Sequence, residues 1–177
     1  MGSSDSIKNT MIISAFPACG KTYLANDGFL GCIDLDSSNF KKDEKGWVSK
    51  YVSAIKEYMG KVSFVLVPQY EELLKELENQ GIPFVVVAPN NTKYISDKER
   101  SLIKQQWFGR FILKDNSHIK DFDAWLNTMK ENYDKLTSTE YLMKYHPVGL
   151  FTLDKDEYLS DIIEDIFWYL KALEDDN

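Results

Sequence analysis

The residues most able to do chemistry are Gly20-Lys21-Thr22, which follow an Ile-rich apolar run, Met11–Ala15, and a Phe16-Pro17-Ala18-Cys19 turn. A short helical pattern continues through Leu24. A glycine, a lysine and a hydroxyl in this order suit a loop whose backbone N–H groups and helix N-terminus surround a polyphosphate. Lys21 would reach the outer phosphates as a point charge, and the Thr22 hydroxyl would hold Mg²⁺. Ala15 stands where the full G-x-x-x-x-G-K-[ST] pattern has its first glycine, and alanine is the smallest substitute that still admits a close backbone approach. Pro17 presets φ within the turn. The expected nucleotide-contact set is therefore Phe16, Pro17, Ala18, Cys19, Gly20, Lys21, Thr22 and Tyr23. The alternative is a chance Gly-Lys-Thr after a buried strand.

Ile33-Asp34-Leu35-Asp36-Ser37-Ser38-Asn39-Phe40 is the second chemical segment. Alternation along a strand turns Asp34 and Asp36 to one side, roughly 6–7 Å apart. Beside a phosphate loop, one carboxylate would hold Mg²⁺ or its water shell, and the other would accept a proton from an attacking hydroxyl. The plainer reading is a strand end followed by a turn. No carboxylate follows the later run Leu66-Val67-Pro68-Gln69, which turns the metal role toward Asp34.

The chain has two arginines, Arg100 and Arg110, and both fall in residues 89–110. Arginine's planar fork grips phosphate in two hydrogen bonds, so this segment is a candidate lid, with Lys93 and Lys104 as further cations. An exposed helix with ordinary surface charges is the alternative. Residues 37–62, the candidate acceptor region, hold Lys41, Lys42, Lys45 and Lys50 but no arginine. Tyr51, Tyr58 and Tyr70 are candidate pocket walls, or simple packing. His118 and His146 lack metal-ligand spacing and are assigned no role.

The elements that must position these groups alternate. Apolar runs at 11–15, 31–35, 62–67, 84–88 and 148–153 read as strands buried on both faces of a mainly parallel sheet. Helical patterns lie at 21–27, 47–59, 69–80, 94–108, 121–135 and 156–174. The expected fold is α/β, a three-layer α/β/α sandwich with five strands, forming one domain over residues 1–177. Function then sits outside the carboxyl ends of the strands.

With 44% hydrophobic and 28% charged residues the chain has globular composition. Its net charge of −7 and pI near 4.9 argue against nucleic acid and anionic membrane as partners. No apolar run approaches the ~20 residues that span a bilayer. Met1-Gly2-Ser3-Ser4-Asp5-Ser6 fits a loose myristoylation pattern, though a plain terminus explains it as well. Two cysteines, Cys19 and Cys32, point to a reducing, cytoplasmic compartment. Cys19 lies beside Lys21, where a thiol's pKa tends to fall; the alternative is a small space-filling side chain.

Ala15-Phe16-Pro17-Ala18-Cys19-Gly20-Lys21-Thr22 and Asp34-Leu35-Asp36-Ser37-Ser38-Asn39-Phe40 together resemble motifs of small P-loop kinases of the nucleoside-monophosphate kinase and shikimate kinase type. Short phage- and prophage-associated P-loop nucleotide kinase-like proteins are the most similar, in an element order that runs through to Tyr158-Leu159-Ser160-Asp161. The resemblance implies a P-loop NTPase fold and an ATP- (or GTP-) and Mg²⁺-dependent phosphotransferase acting on a small-molecule acceptor, a nucleoside or nucleotide. It places Asp34 toward Mg²⁺ and Asp36 toward the acceptor hydroxyl. With Lys21, Arg100 and Arg110, Asp36 completes the expected catalytic set. It implies host cytoplasm if the chain is phage-encoded. Members of the family hold an acceptor phosphate with arginine, which residues 37–62 lack. Either lysine substitutes, or the acceptor carries a hydroxyl and no phosphate. Two other functions stand beside transfer: a non-catalytic nucleotide sensor, and a slow NTPase acting through a protein partner.

Overall fold

The computed structural model describes residues 9–28 and 31–176; the N-terminal Met1–Ser6 pattern lies outside them. Five strands, β1 (Met11–Ala15), β2 (Cys32–Asp34), β3 (Phe64–Pro68), β4 (Phe84–Pro89) and β5 (Gly149–Leu153), form one sheet in the order β2-β3-β1-β4-β5. Every pairing is parallel. The seven helices among the described residues are α1 (Lys21–Asp27), α2 (Trp47–Tyr58), α3 (Glu71–Asn79), α4 (Asp97–Leu113), α5 (Phe122–Leu136), α6 (Thr139–Leu142) and α7 (Leu159–Asp175).

The continuous Val and Ile runs become the central strands because both sheet faces are covered. Phe64, Val65, Leu66 and Val67 of β3 and Val85, Val86 and Val87 of β4 are all buried. The crossover leaving β1 runs to one side of the sheet, and all later crossovers run to the other. Right-handed connection then sends α1 to the opposite face from α2 and α3. In keeping with this, α1 packs against α7 and α2 against α3. The arrangement is consistent with three layers. Because β1 and its neighbour β4 send their chains in opposite directions, a crevice opens above their carboxyl ends.

The elements differ from expectation in three places. The sheet is wholly parallel. The helix expected over 94–108 starts at Asp97, where Ser96 and Glu99 form a reciprocal cap, and runs on to Leu113. It continues because Ile103, Trp107, Arg110 and Phe111 repeat at helical spacing against the core. Helix α6, capped by Ser138, was not foreseen. No helix among the described residues is long and apolar enough to cross a membrane.

Helix α4 also anchors the turn after β1. Trp107 is fully buried, and its Nε1 donates to the Pro17 carbonyl at 2.9 Å. Phe16 packs edge-on against Trp107 and Tyr133. Trp107→Phe removes that donor and part of the packing volume, and is expected to cost about 2 kcal/mol. Thermal unfolding followed by circular dichroism should fall by about 4–8 °C; an unchanged midpoint would show that the indole does not hold the turn.

Candidate functional site

The turn from Phe16 to Gly20 joins β1 to α1 at the carboxyl edge of the sheet. Two of its residues are left-handed: Gly20, with φ of 91°, and Ala18, with φ of 65°. Alanine in this region costs about 1–2 kcal/mol, so the surrounding structure enforces the conformation. The φ of Gly20 is what favours glycine there; a Cβ would lie 3.3 Å from Tyr158 Cδ1 and push that ring back by a few tenths of an ångström. Helix α1 begins without a side-chain cap, leaving the N–H groups of Lys21, Thr22 and Tyr23 without partners inside the helix.

The carbonyls of the turn are held from behind. Those of Phe16, Pro17 and Cys19 accept from Cys19 N, Trp107 Nε1 and Leu159 N respectively. Phe16 is thus foundation and not lining: its ring is buried and its N–H bonds Val87 O. Cys19 is buried too. Burial outweighs the nearby charges of Lys21 and Arg110 and pushes its thiol up to about 12. Cys19 is therefore the space-filling side chain of the two alternatives. Tyr23 is exposed.

Thr22 and Asp34 meet, with Thr22 Oγ1 donating to Asp34 Oδ2 at 2.7 Å. A hydroxyl and a carboxylate at adjoining loop and strand ends form the partial oxygen shell that Mg²⁺ uses when phosphates and waters complete it. The donor set fits that ion. No group of three or more His, Cys, Asp or Glu side chains among the described residues forms a metal cage.

Asp36 caps a single 3₁₀ turn, Ser37–Asn39, where its two carboxylate oxygens accept from Ser38 N and Ser38 Oγ, both at 2.8 Å. The backbone hydrogen bond from Ser38 is the largest influence holding its pKa below the usual carboxylate range, and the charges of His118 and Lys21 add to it. His118, assigned no role from sequence, thus lies within electrostatic range of the carboxylate. Lys114, unnoticed in the sequence, is half-buried beside the Trp125 ring. Burial, then the charge of Lys21, lowers its pKa. The end of α4 thus leaves a partly buried cation within electrostatic range of Lys21, of which aperiodic Lys114–Lys120 gave no sign.

The two arginines are engaged elsewhere. Arg100 donates to Thr92 O and pairs with Asp97 at 2.8 Å. It lines a cavity of about 310 Å³ with Asn90, Asn91, Lys104 and Asp134, and there Lys104 pairs with Asp134 at 2.7 Å. Arg110 is 8% exposed. Its guanidinium carbon lies 4.1 Å from the Trp107 ring and 4.0 Å from the Tyr158 ring, and Nη2 donates to Glu157 O at 2.8 Å. Residues 97–110 are part of a packed helix, with Ile103 and Trp107 in the core.

Compared with protein-family models, curated proteins and solved structures, the chain matches none.

Two measurements check this geometry. Both thiols are buried, and that of Cys32 is likewise pushed up to about 12, so a thiol reagent at pH 8 should label neither in native protein and both in denaturant. Rapid labelling of native Cys19 would contradict the buried placement. For Asp36, the lowered folded pKa means a stabilising contribution that is fully present above the ordinary carboxylate pKa and fades as pH falls through the lowered value. The stability difference between wild type and Asp36→Asn should be flat from pH 5 to 8 and shrink below pH 4; a difference that grows on acidification would reverse the assignment.

Proposed function

We propose that this chain is an ATP- or GTP-dependent phosphotransferase whose acceptor is a small hydroxylated molecule. The observation that carries the reading is the Thr22–Asp34 hydrogen bond next to Lys21 and the left-handed turn at Gly20. Such a pairing of hydroxyl and carboxylate beside a lysine has an evident use if a metal–triphosphate complex occupies the crevice. Lys21 binds the outer phosphates, and Thr22 and Asp34 hold Mg²⁺. The ion, arriving with the triphosphate, would neutralise phosphate charge.

The acceptor oxygen forms a new bond to the γ-phosphorus as the bond to the β–γ bridging oxygen breaks, and the nucleoside diphosphate leaves with that electron pair. Asp36 accepts the hydroxyl's hydrogen bond throughout. Its lowered pKa makes it a weak base, so it orients the nucleophile and takes the proton late, passing it to water. Arg100 and Arg110 reach the phosphates only by leaving their present partners.

Those commitments favour a second reading. With Arg100 paired to Asp97 and Arg110 stacked between Trp107 and Tyr158, the same loop serves a module that binds nucleotide without transfer. A slow NTPase acting through a protein partner has no comparable support.

Nucleoside diphosphate release from ATP and GTP with Mg²⁺ separates them, measured against nucleosides, nucleoside monophosphates and small hydroxylated metabolites. Acceptor-dependent release is expected, falling by roughly 10²–10³ in Lys21→Ala while the unfolding midpoint stays within a few degrees. Asp34→Asn should raise the Mg²⁺ concentration needed. Unchanged turnover in Lys21→Ala would remove the site, and nucleotide binding without release on any acceptor would establish the module.

A further inference from the structure

The cavity of about 310 Å³ lies where the end of β4 meets α4 and α5, and the phosphate loop makes no use of it. Its charged lining is two cations, Arg100 and Lys104, and two carboxylates, Asp97 and Asp134. The cations stand one turn apart on α4, about 6 Å from each other, and line the cavity side by side. Arg100 precedes Trp107, which holds the Pro17 carbonyl, by two turns of the helix, roughly 10 Å. Tyr133 adds an aromatic wall, with Lys104 Nζ 5.4 Å from the ring centre.

The two ion pairs are unequal in their burial. The Arg100 and Lys104 side chains are 32% and 31% exposed, whereas those of Asp97 and Asp134 are 100% and 71% exposed. The cations belong to the wall, and the carboxylates cover them from solvent. A pair with so exposed a partner holds weakly, so a ligand displaces Asp97 at little cost. Arg100 is already oriented: Nη1 donates to Thr92 O at 2.7 Å and Nη2 to Asp97 at 2.8 Å. Its Nε donates to no group among the described residues, and Nε with Nη2 forms an edge that a carboxylate receives in two hydrogen bonds. Beside Asp134, Asn91 Nδ2 donates to Thr137 Oγ1 at 3.0 Å and to the Asp134 carbonyl at 3.4 Å. Asn91 Oδ1 accepts from no group among the described residues, which leaves it and the Asp134 carboxylate to receive an ammonium.

The lining carries both signs equally. A ligand of negative charge alone would face Asp97 and Asp134, and one of positive charge alone would face Arg100 and Lys104. A zwitterion faces neither conflict. Lys104 and Asp134 are 2.7 Å apart, so the cationic and the acceptor halves of the lining adjoin. The ligand's own two charges must then sit on neighbouring atoms, as they do in an α-amino acid.

We infer that this cavity binds a free α-amino acid. Its carboxylate takes Arg100 and Lys104 in place of Asp97 and Asp134, its ammonium goes to Asp134 and Asn91 Oδ1, and its side chain lies along the Tyr133 ring. Asp97 turns to water. The site is separate from the phosphate loop, and the inference stands whether or not the chain transfers phosphate.

Isothermal titration calorimetry of the full chain with each common free amino acid tests it without nucleotide or turnover. At least one should bind with a Kd of about 1 mM or tighter. Its N-acetyl derivative and its carboxamide, each lacking one of the two charges, should bind about tenfold or more weakly, and succinate should not bind. Asp134→Asn should weaken the amino acid about tenfold or more; the carboxylate is exposed, so the variant should unfold at the wild-type temperature. Arg100→Lys, which keeps the charge and loses the two-pronged edge, should weaken it too. Lys21→Ala should bind as wild type does. No binding by any amino acid, equal binding by either blocked form, or binding of succinate would overturn the inference. So would a folded Asp134→Asn or Arg100→Lys protein of unchanged affinity, or loss of binding in Lys21→Ala, which would put the ligand at the phosphate loop.

Discussion

The turn between β1 and α1 has its carbonyls pulled inward, and the rest of the site depends on that. Phe16, Pro17 and Cys19 each give their carbonyl to a donor behind the loop: the turn's own backbone, the Trp107 indole and the first residue of α7. A peptide whose carbonyl points into the core carries its N–H on the opposite side, because the unit is planar and trans. This turns the N–H groups of Ala18 and Gly20 outward, whereas the Phe16 peptide ends at proline and carries none. The chain can make consecutive reversals of this kind only by visiting left-handed conformations, and it does so at Ala18 and Gly20. The conformational cost at Ala18 is met by hydrogen bonds that would otherwise be lost from a buried backbone. A cradle of amides formed this way is set before any ligand arrives, so little ordering entropy remains to be lost on binding.

Arg110 extends the same logic. A guanidinium 8% exposed is expensive unless its charge is compensated. Two ring faces at about 4 Å provide part of this, and the Glu157 carbonyl provides a hydrogen bond. Nε and Nη1 have no hydrogen-bond partner among the described residues, so compensation is incomplete. The arginine clamps α4 to the turn before α7, whose Tyr158 ring then fills the space over Gly20. Removing the guanidinium to reach a ligand would break both stacks at once. Its present contacts therefore make it a positioning group.

What the sequence made legible was whatever has a period or a fixed local geometry. Continuous Val and Ile runs gave the strands to within two residues, because a parallel strand covered on both faces tolerates little else. Gly20-Lys21-Thr22 and Asp34 were legible because a loop before a helix and a strand-end carboxylate are local patterns, and their meeting follows from a parallel sheet. Arg110 was misleading in type: arginine is seldom buried, and its sandwich needs Tyr158, 48 positions away in sequence. His118 and Lys114 sit on an aperiodic segment, so only the end of α4 decides where they point. The aromatic residues that follow Asp36 combined both cases. Tyr51 follows helical spacing, whereas the approach of Trp47 to Tyr70 is set by how α2 lies against α3.

On the proposed reading an acidic chain must admit a polyanion, and distance decides how strongly its surface opposes that. Net charge of −7 is spread over the surface, where salt screens it beyond about 8–10 Å. Lys21 and Lys114 are partly buried, where screening is weaker than at the surface. Burial is the main cause of the lowered pKa of Lys114, and the charge of Lys21 adds to it. Association of such a ligand is then expected to gain little from long-range steering, and selectivity to come from contacts made inside the crevice.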